Sequence, residues 1–505
     1  MIDNPRIEYD GPVDEKGLEK NDPKTYGHVQ RDLKARHVTF IALGGNLGTG
    51  LFLGIGRALR TSAGFMMMMA LGEMAAWLPL PGAIPQFCAR YVDDALGFAV
   101  GWNTWFTAVI TLCAEISAAC SIIQFWSGAE QVSVAVWIVI FIVTLLALNI
   151  LAVKVYGEAE FACALIKLCG IIGLLITALV IDLGGVPTQN RLGFHYWKTD
   201  GIMKEYIASG SSGRFLGLFS TLVNASFSLG GVETVVVAAG EAENPRRNIP
   251  RAIRRVFWRL LFFFLLGASS SSNAESPWVI AINLAGIKAL PSIVNAVVLI
   301  AGISAGNSYV FMGSRYLYAL ASNNQAPKIF LRCTKQGIPI YALLATMSIS
   351  FLTFMSMGSS SNIVFQWFQN LTTVSTLYTW ISICIAYMRF HAALKAQQID
   401  RSDLPFSFPL QPYSTYFTLG YLCIVVFFNG FDSIAGGFKL PGFITSYIGF
   451  PLFFGFFLFW KIFKRTKWRR PEEADLFTGK AELDAIEWPQ KVPRNFVERV
   501  WLAFI

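Results

Sequence analysis

The residues best placed to do chemistry are two clusters of glycine, each set inside an apolar run. The first is IALGGNLGTGLFLGIG, residues 41–56, with six glycines in sixteen positions. Each glycine in a helix interior costs about 1 kcal/mol relative to alanine. Irregular backbone at membrane depth is tolerated only where it lines a cavity or is buried in protein. An unwound stretch at Gly44–Gly50 would present free N–H groups at a half-helix N-terminus, where they could hold a carboxylate. Close helix packing through small residues is the alternative reading. The second cluster is SFSLGGVET, residues 226–234, where Gly230 and Gly231 lie beside Phe227, Ser228 and the intramembrane acid Glu233. Two interrupted helices at corresponding places in two halves point to a transporter's substrate site near the bilayer midplane.

Four further positions stand out because they are polar among apolar neighbours. Lys167 ends the run EFACALIK, and a lysine there costs several kcal/mol unless it pairs, snorkels or gives up its proton. It could therefore exchange protons in a working pH range, or simply snorkel to the interface. Glu115, in TLCAEISAAC, could be a protonated acid packed against the broken helices or an ordinary hydrogen-bonding group. Ser304 and Asn307 offer oxygens suited to ion coordination or to interhelical hydrogen bonds.

Such groups require a membrane scaffold, and the composition supplies one. Of 505 residues, 54% are hydrophobic and only 14% charged, with 42 Phe and 14 Trp. Soluble proteins carry about a quarter charged residues. A helix needs about 20 residues to cross a ~30 Å hydrocarbon core. Spans of that kind are expected near 38–59, 96–126, 133–151, 161–182, 215–240, 289–312, 339–357, 361–388, 415–431 and 441–463. Two shorter segments, 63–80 and 256–268, bring the number to twelve. The second of these contains only LLFFFLLGA, about 14 Å of helix, before SSSSN.

Charge fixes the expected orientation. Arg246, Arg247, Arg251, Arg254, Arg255 and Arg259 crowd one connection, and Lys461, Lys464, Arg465, Lys467, Arg469 and Arg470 follow the last span. Lys328, Arg332 and Lys335 mark another basic connection, and Arg389, Lys395 and Arg401 a third. With both termini cytoplasmic, all of these fall inside only if there are twelve crossings. The net charge of +9 is thus explained by topology, and no nucleic-acid partner is expected. A cytoplasmic tail over 1–36, a transmembrane domain over 37–463 and a cytoplasmic tail over 464–505 follow. The eight cysteines are scattered singly, and the four histidines form no ligand cluster, so neither a metal site nor a cofactor is expected. No enzyme signature or ATP-binding loop is present.

The run RHVTFIALGGNLGTGLFLGIGRAL at 36–59 resembles the fungal amino-acid permeases of the amino acid–polyamine–organocation superfamily. So do ALGEMAAWLPLPGA (70–83), YVDDALGFAVGWN (91–103), YGEAEFACALIK (156–167), FSLGGVETVVVAAGEAENPRRNIPRAI (227–253) and SAGNSYVFMGSRYLYALA (304–321). The resemblance covers about residues 30–465. It implies an all-α, LeuT-like fold with a five-plus-five inverted repeat, broken first and sixth helices, and import of amino acids by proton symport; the plasma membrane is the expected location, with an internal membrane the alternative. Its substrate residues would be Gly44, Gly45, Asn46, Gly48, Thr49 and Gly50 on the first helix, with Phe227, Ser228, Gly230 and Glu233 on the sixth. Asn46 departs from the smaller residue usual there. Phe227 would be the aromatic gate. A lysine on the fifth helix stands in for a sodium ion in proton-coupled relatives, and Lys167 occupies that place; Glu115, Ser304 and Asn307 are the other coupling candidates.

Two departures qualify the resemblance. The link from Ser62 to Ala70 is about fifteen residues short, and the seventh helix loses its apolar end. Helices two and seven are therefore expected to be shortened, and an impaired or truncated permease product is one alternative function. A non-transporting amino-acid sensor of the same fold is another; such sensors carry a long N-terminal tail, and this chain has about 36 residues there.

Overall fold

The computed structural model describes residues 61–80, 83–150, 153–185, 205–217, 231, 233, 282, 286–287, 289–435, 437–478 and 480. Among them the architecture is a bundle of helices with no named strand. The expected spans at 38–59 and 256–268 and most of that at 215–240 lie outside the described residues, as do Gly44, Gly45, Asn46, Gly48, Thr49, Gly50, Phe227, Ser228 and Gly230.

The remaining expected spans each coincide with helix. In chain order they are α1 (Thr61–Trp77), a short α2 (Ala83–Tyr91), α3 (Asp94–Ile123), α4 (Val134–Ile150), α5 (Val153–Asp182) and α6 (Leu290–Ser322). Then come α7 (Ile340–Ile349), continued as a tighter 3-10 helix over Ser350–Met357, α8 (Ser361–Ala396) and α9 (Tyr413–Phe427). A one-turn α10 (Asp432–Ala435) precedes α11 (Leu440–Tyr447) and α12 (Gly449–Lys464). Six helical stretches among the described residues are long and apolar enough to cross a bilayer. The described part of α1 runs 17 residues, Thr61–Trp77.

The long α3 is the central post, packed against α2, α6, α8 and α12. Asp93 starts it as a helix cap, extended at φ −167° and accepting the Ala95 N–H at 2.8 Å. Gly97 sits where α2 crosses close by: a Cβ there would come within 2.7 Å of the Ala89 Cβ and 2.8 Å of the Pro85 carbonyl oxygen. The close approach of α5 to α6 depends on Gly170 in the same way, since its Cβ would meet a Val297 methyl at 2.5 Å. Small residues at such crossings let backbones approach where lipid gives helices no hydrophobic reason to associate.

Faces turned away from the bundle are apolar. Val136, Val139 and Val143 on α4, Ile172, Ile176 and Leu179 on α5, and Phe450, Leu458 and Ile462 on α12 are all exposed. In water such a surface would be an aggregation hazard; against acyl chains it is the expected one. The chain after α12 behaves differently from a solvated tail. Ala474 and Leu476 are buried in the main core cluster.

Candidate functional site

Four helices, α3 to α6, meet around one buried polar cluster. Glu160 and Lys167 lie seven residues apart on α5, two turns along one face. Opposite them, Ser304, Asn307 and Ser308 share one face of α6 at the i, i+3, i+4 spacing. The Ser304 hydroxyl donates to Glu160 Oε1 at 2.5 Å, and Lys167 Nζ lies 4.0 Å from the same oxygen. Asn307 and Ser308 also stand beside the Glu160 carboxyl group. Asn149, on α4, donates to Asn307 Oδ1 at 2.7 Å and to the Leu145 carbonyl at 3.0 Å. Glu115 approaches from α3: it packs beside Gly306, with 3.8 Å between its Cβ and a Cβ built there, and its charge is felt at Lys167.

The four coupling candidates named from sequence, Lys167, Glu115, Ser304 and Asn307, are thus brought into one neighbourhood. Lys167 is 0% exposed, so it does not snorkel to an interface. Glu160 and Asn149 join the cluster and were not singled out. Glu160 was legible in principle, because its spacing from Lys167 puts both on one helix face. Asn149 is the one polar residue in the last six of α4, LLALNI, and gives no charge signal.

A second buried acid belongs to the glycine cluster at 226–234. Gly231, of the same cluster, has φ 90°, a left-handed backbone that suits glycine. Two residues on, Glu233 is buried and accepts the indole N–H of Trp380 on α8 at 3.0 Å. Trp380 was not anticipated from sequence.

Near one end of α1 the structure holds a third. Glu73 Oε1 accepts the Arg401 guanidinium at 2.8 Å and the Phe408 amide N–H at 2.6 Å, and Oε2 accepts the Tyr387 hydroxyl. Arg401 donates in addition to the Phe408 and Gln411 carbonyls, both at 2.8 Å. The α1 helix is thereby fixed to α8 and to the connector between α8 and α9. Among the described residues no group of His, Cys, Asp and Glu is arranged to hold a metal ion.

The chain matches the family model described as "Amino acid permease" over residues 37–473. It is 39% identical to a proline-specific permease of Emericella nidulans, covering 98% of this chain and 97% of that one. It is also 39% identical to a lysine-specific permease of Saccharomyces cerevisiae, over 94% of this chain and 83% of the relative. The Emericella alignment runs over 538 positions, more than the 505 residues here, so that relative has residues without a counterpart in this chain. Among solved structures, a manganese transporter of Eremococcus coleocola superposes with a TM-score of 0.52 at 12% identity, covering 85% of this chain and 93% of that one. That likeness gives the fold, which is LeuT-like. With the family model spanning most of its length and relatives close to two-fifths identical, this chain belongs to the amino acid permease family.

Proposed function

We infer that the chain carries an amino acid inward together with a proton, as a symporter of the plasma membrane with both termini cytoplasmic. The observation that carries this reading is the buried Lys167–Glu160–Ser304 cluster. An amine and a carboxylate 4.0 Å apart and shut away from water, with Glu160 Oε2 accepting no hydrogen bond among the described residues, can hold one proton between them or two. Isolated buried charge is costly, so the pair favours arrangements in which the two groups neutralise each other. A proton arriving from outside would tip that balance, and its release inside would restore it. Each proton moving inward contributes about 2.3 kcal/mol per 100 mV of membrane potential.

Substrate would sit between the two helix interruptions. The backbone of Gly44, Gly45, Asn46, Gly48, Thr49 and Gly50 would receive its carboxylate and amino groups. Phe227, Ser228 and Gly230 would close over it, and Glu233 would be anchored by Trp380. The permease domain would run from 37 to 463, flanked by cytoplasmic tails. Relatives named for proline and for lysine are equally similar to this chain, so the transported side chain is a property of a few pocket residues.

The test is uptake of labelled amino acids in a transport-deficient host, with and without a protonophore. Accumulation that collapses with the protonophore, and that Glu160→Gln also removes, is the expected result. Accumulation indifferent to the protonophore would overturn the coupling. A second reading, an impaired product lacking parts of two helices, is favoured by the excess of aligned positions in the relative. Normal membrane expression with no substrate accumulating, and transcripts carrying extra codons at 60–72 and 264–278, would select it.

A further inference from the structure

The segment after α12 is bound to the bundle rather than trailing from it. At Arg465 the backbone turns sharply, with φ 50°, and the chain doubles back across the ends of four helices. Arg469 is the centre of the crossing. Its N–H donates to the Val92 carbonyl at 2.8 Å, its Nε to the Ala89 carbonyl at 2.9 Å, and its Nη2 to Asp94 Oδ1 at 3.0 Å. Its own carbonyl accepts the Arg389 guanidinium from α8. One residue therefore ties α2, the start of α3, and α8 together.

Flanking contacts extend the tie in both directions. Upstream, Lys461 pairs with Asp93, and the Thr466 hydroxyl donates to the same carboxylate at 2.6 Å. Downstream, Gln397, just past the end of α8, donates to the Pro471 carbonyl at 3.2 Å and to the Ala474 carbonyl at 2.8 Å. The Trp77 indole at the end of α1 donates to the Leu476 carbonyl at 2.9 Å, and Arg90 pairs with Asp475 at 3.2 Å. Many of these bonds end on strap backbone, so they fix the path of the chain and not merely its composition. The Glu73 junction lies on the same side, joining α1 to the connector that follows α8.

We propose that residues 465–476 are a strap that holds this end of the transporter closed, and that Arg469 and Gln397 are positioning residues for transport. The proposal rests on the transport reading above, in whose orientation this end is cytoplasmic. Alternating access requires elements of the two repeats to move against each other at each end in turn. Here α1 and α2 cannot part from α8 without breaking the bonds to Gln397, Arg389 and Trp77. The strap must therefore loosen when this end opens, and its strength sets how often that happens.

A native reporter lies beneath it. Cys88 on α2 is buried, its thiol 3.9 Å from the Ser382 carbonyl of α8, and burial pushes its pKa up, so it is inert while the end is closed. Cys113, deep on α3 and equally buried, serves as a control for general loosening. The full-length chain in open vesicles would be exposed to N-ethylmaleimide and each cysteine followed by mass spectrometry. Arg469→Ala should raise the Cys88 rate by about tenfold or more, the scale expected for losing a charge-assisted hydrogen bond. Gln397→Ala, at a part-exposed site, should raise it by about threefold, the scale of a neutral hydrogen bond. Cys113 should stay at its parent rate in both. Unchanged Cys88 labelling in the Gln397→Ala chain, or an equal rise at Cys113, overturns the proposal. The readout needs no substrate, so a failure of the strap is distinguishable from a failure of the transport reading.

Discussion

Glu73 and Glu160 are both buried carboxylates facing a cation, and they are held in opposite ways. Glu73 has donors on both oxygens: the Arg401 guanidinium, the Phe408 amide and the Tyr387 hydroxyl. Glu160 has one hydroxyl on Oε1, a lysine at 4.0 Å, and no hydrogen bond to Oε2 among the described residues. The chemistry of the partners sharpens the difference. A guanidinium stays protonated at any working pH, whereas an ammonium can give its proton up. A fully bonded carboxylate with an arginine is a joint, because any change in its charge strands three donors. A half-bonded one with a lysine has room for a proton to come and go. The contrast teaches that a buried ion pair is read by its unfilled bonding positions as much as by its charges.

Breaking each pair should therefore give different failures. The largest effect is expected for Glu73→Ala, which leaves Arg401 and two further donors without their acceptor. Removing one partner of a buried pair costs about 3–5 kcal/mol, and the lower end applies because Arg401 is 27% exposed and can recruit water. Thermal melting of the purified chain should fall sharply, with little folded protein reaching the membrane. Lys167→Gln should do something else. Folded protein should remain, while the accumulation ratio drops by about fifty-fold per 100 mV, the factor equivalent to one uncoupled proton. Facilitated exchange of labelled for unlabelled substrate should survive. If Lys167→Gln instead unfolds the chain as Glu73→Ala does, the two sites are of one kind and the contrast fails. The smallest effect is expected for Asn149→Ala, which takes one interhelical bond from Asn307. In membranes such bonds average about 0.6 kcal/mol, so melting should shift only slightly while coupling weakens. A large loss of stability there would mark the cluster as a joint after all.

What could be read in the sequence divides along similar lines. The described spans were legible because apolar length is a local property, and α3, α6 and α8 extend beyond their expected bounds only at capped ends. Lys167 was conspicuous as a charge inside an apolar run. Glu160 escaped because it sits at the polar mouth of α5 beside Glu158, where one more acid is unremarkable. Arg401 was counted among the basic residues of a connection, and its engagement with Glu73, 328 positions away, leaves no trace in either neighbourhood. The segment from 464 is read from sequence as a cytoplasmic tail, and that reading carries no sign that Ala474 and Leu476 pack into the core. Its anchors are largely carbonyl groups, which every residue has, so no pattern of side chains announces them.

The length of α8 has a mechanical consequence. This one helix of 36 residues carries Trp380, which holds Glu233; Tyr387, which holds Glu73; and, just past its end, Gln397, which holds the strap. Trp380 and Gln397 are separated by about 25 Å of helix. A helix of that kind is a lever. Tilting it by about 5° around the Trp380 level would carry Gln397 roughly 2 Å sideways at a rise of 1.5 Å per residue. That is enough to part a 2.8 Å hydrogen bond. Occupancy beside Glu233 could thus be felt at the far end of the molecule with no relay of side chains between them.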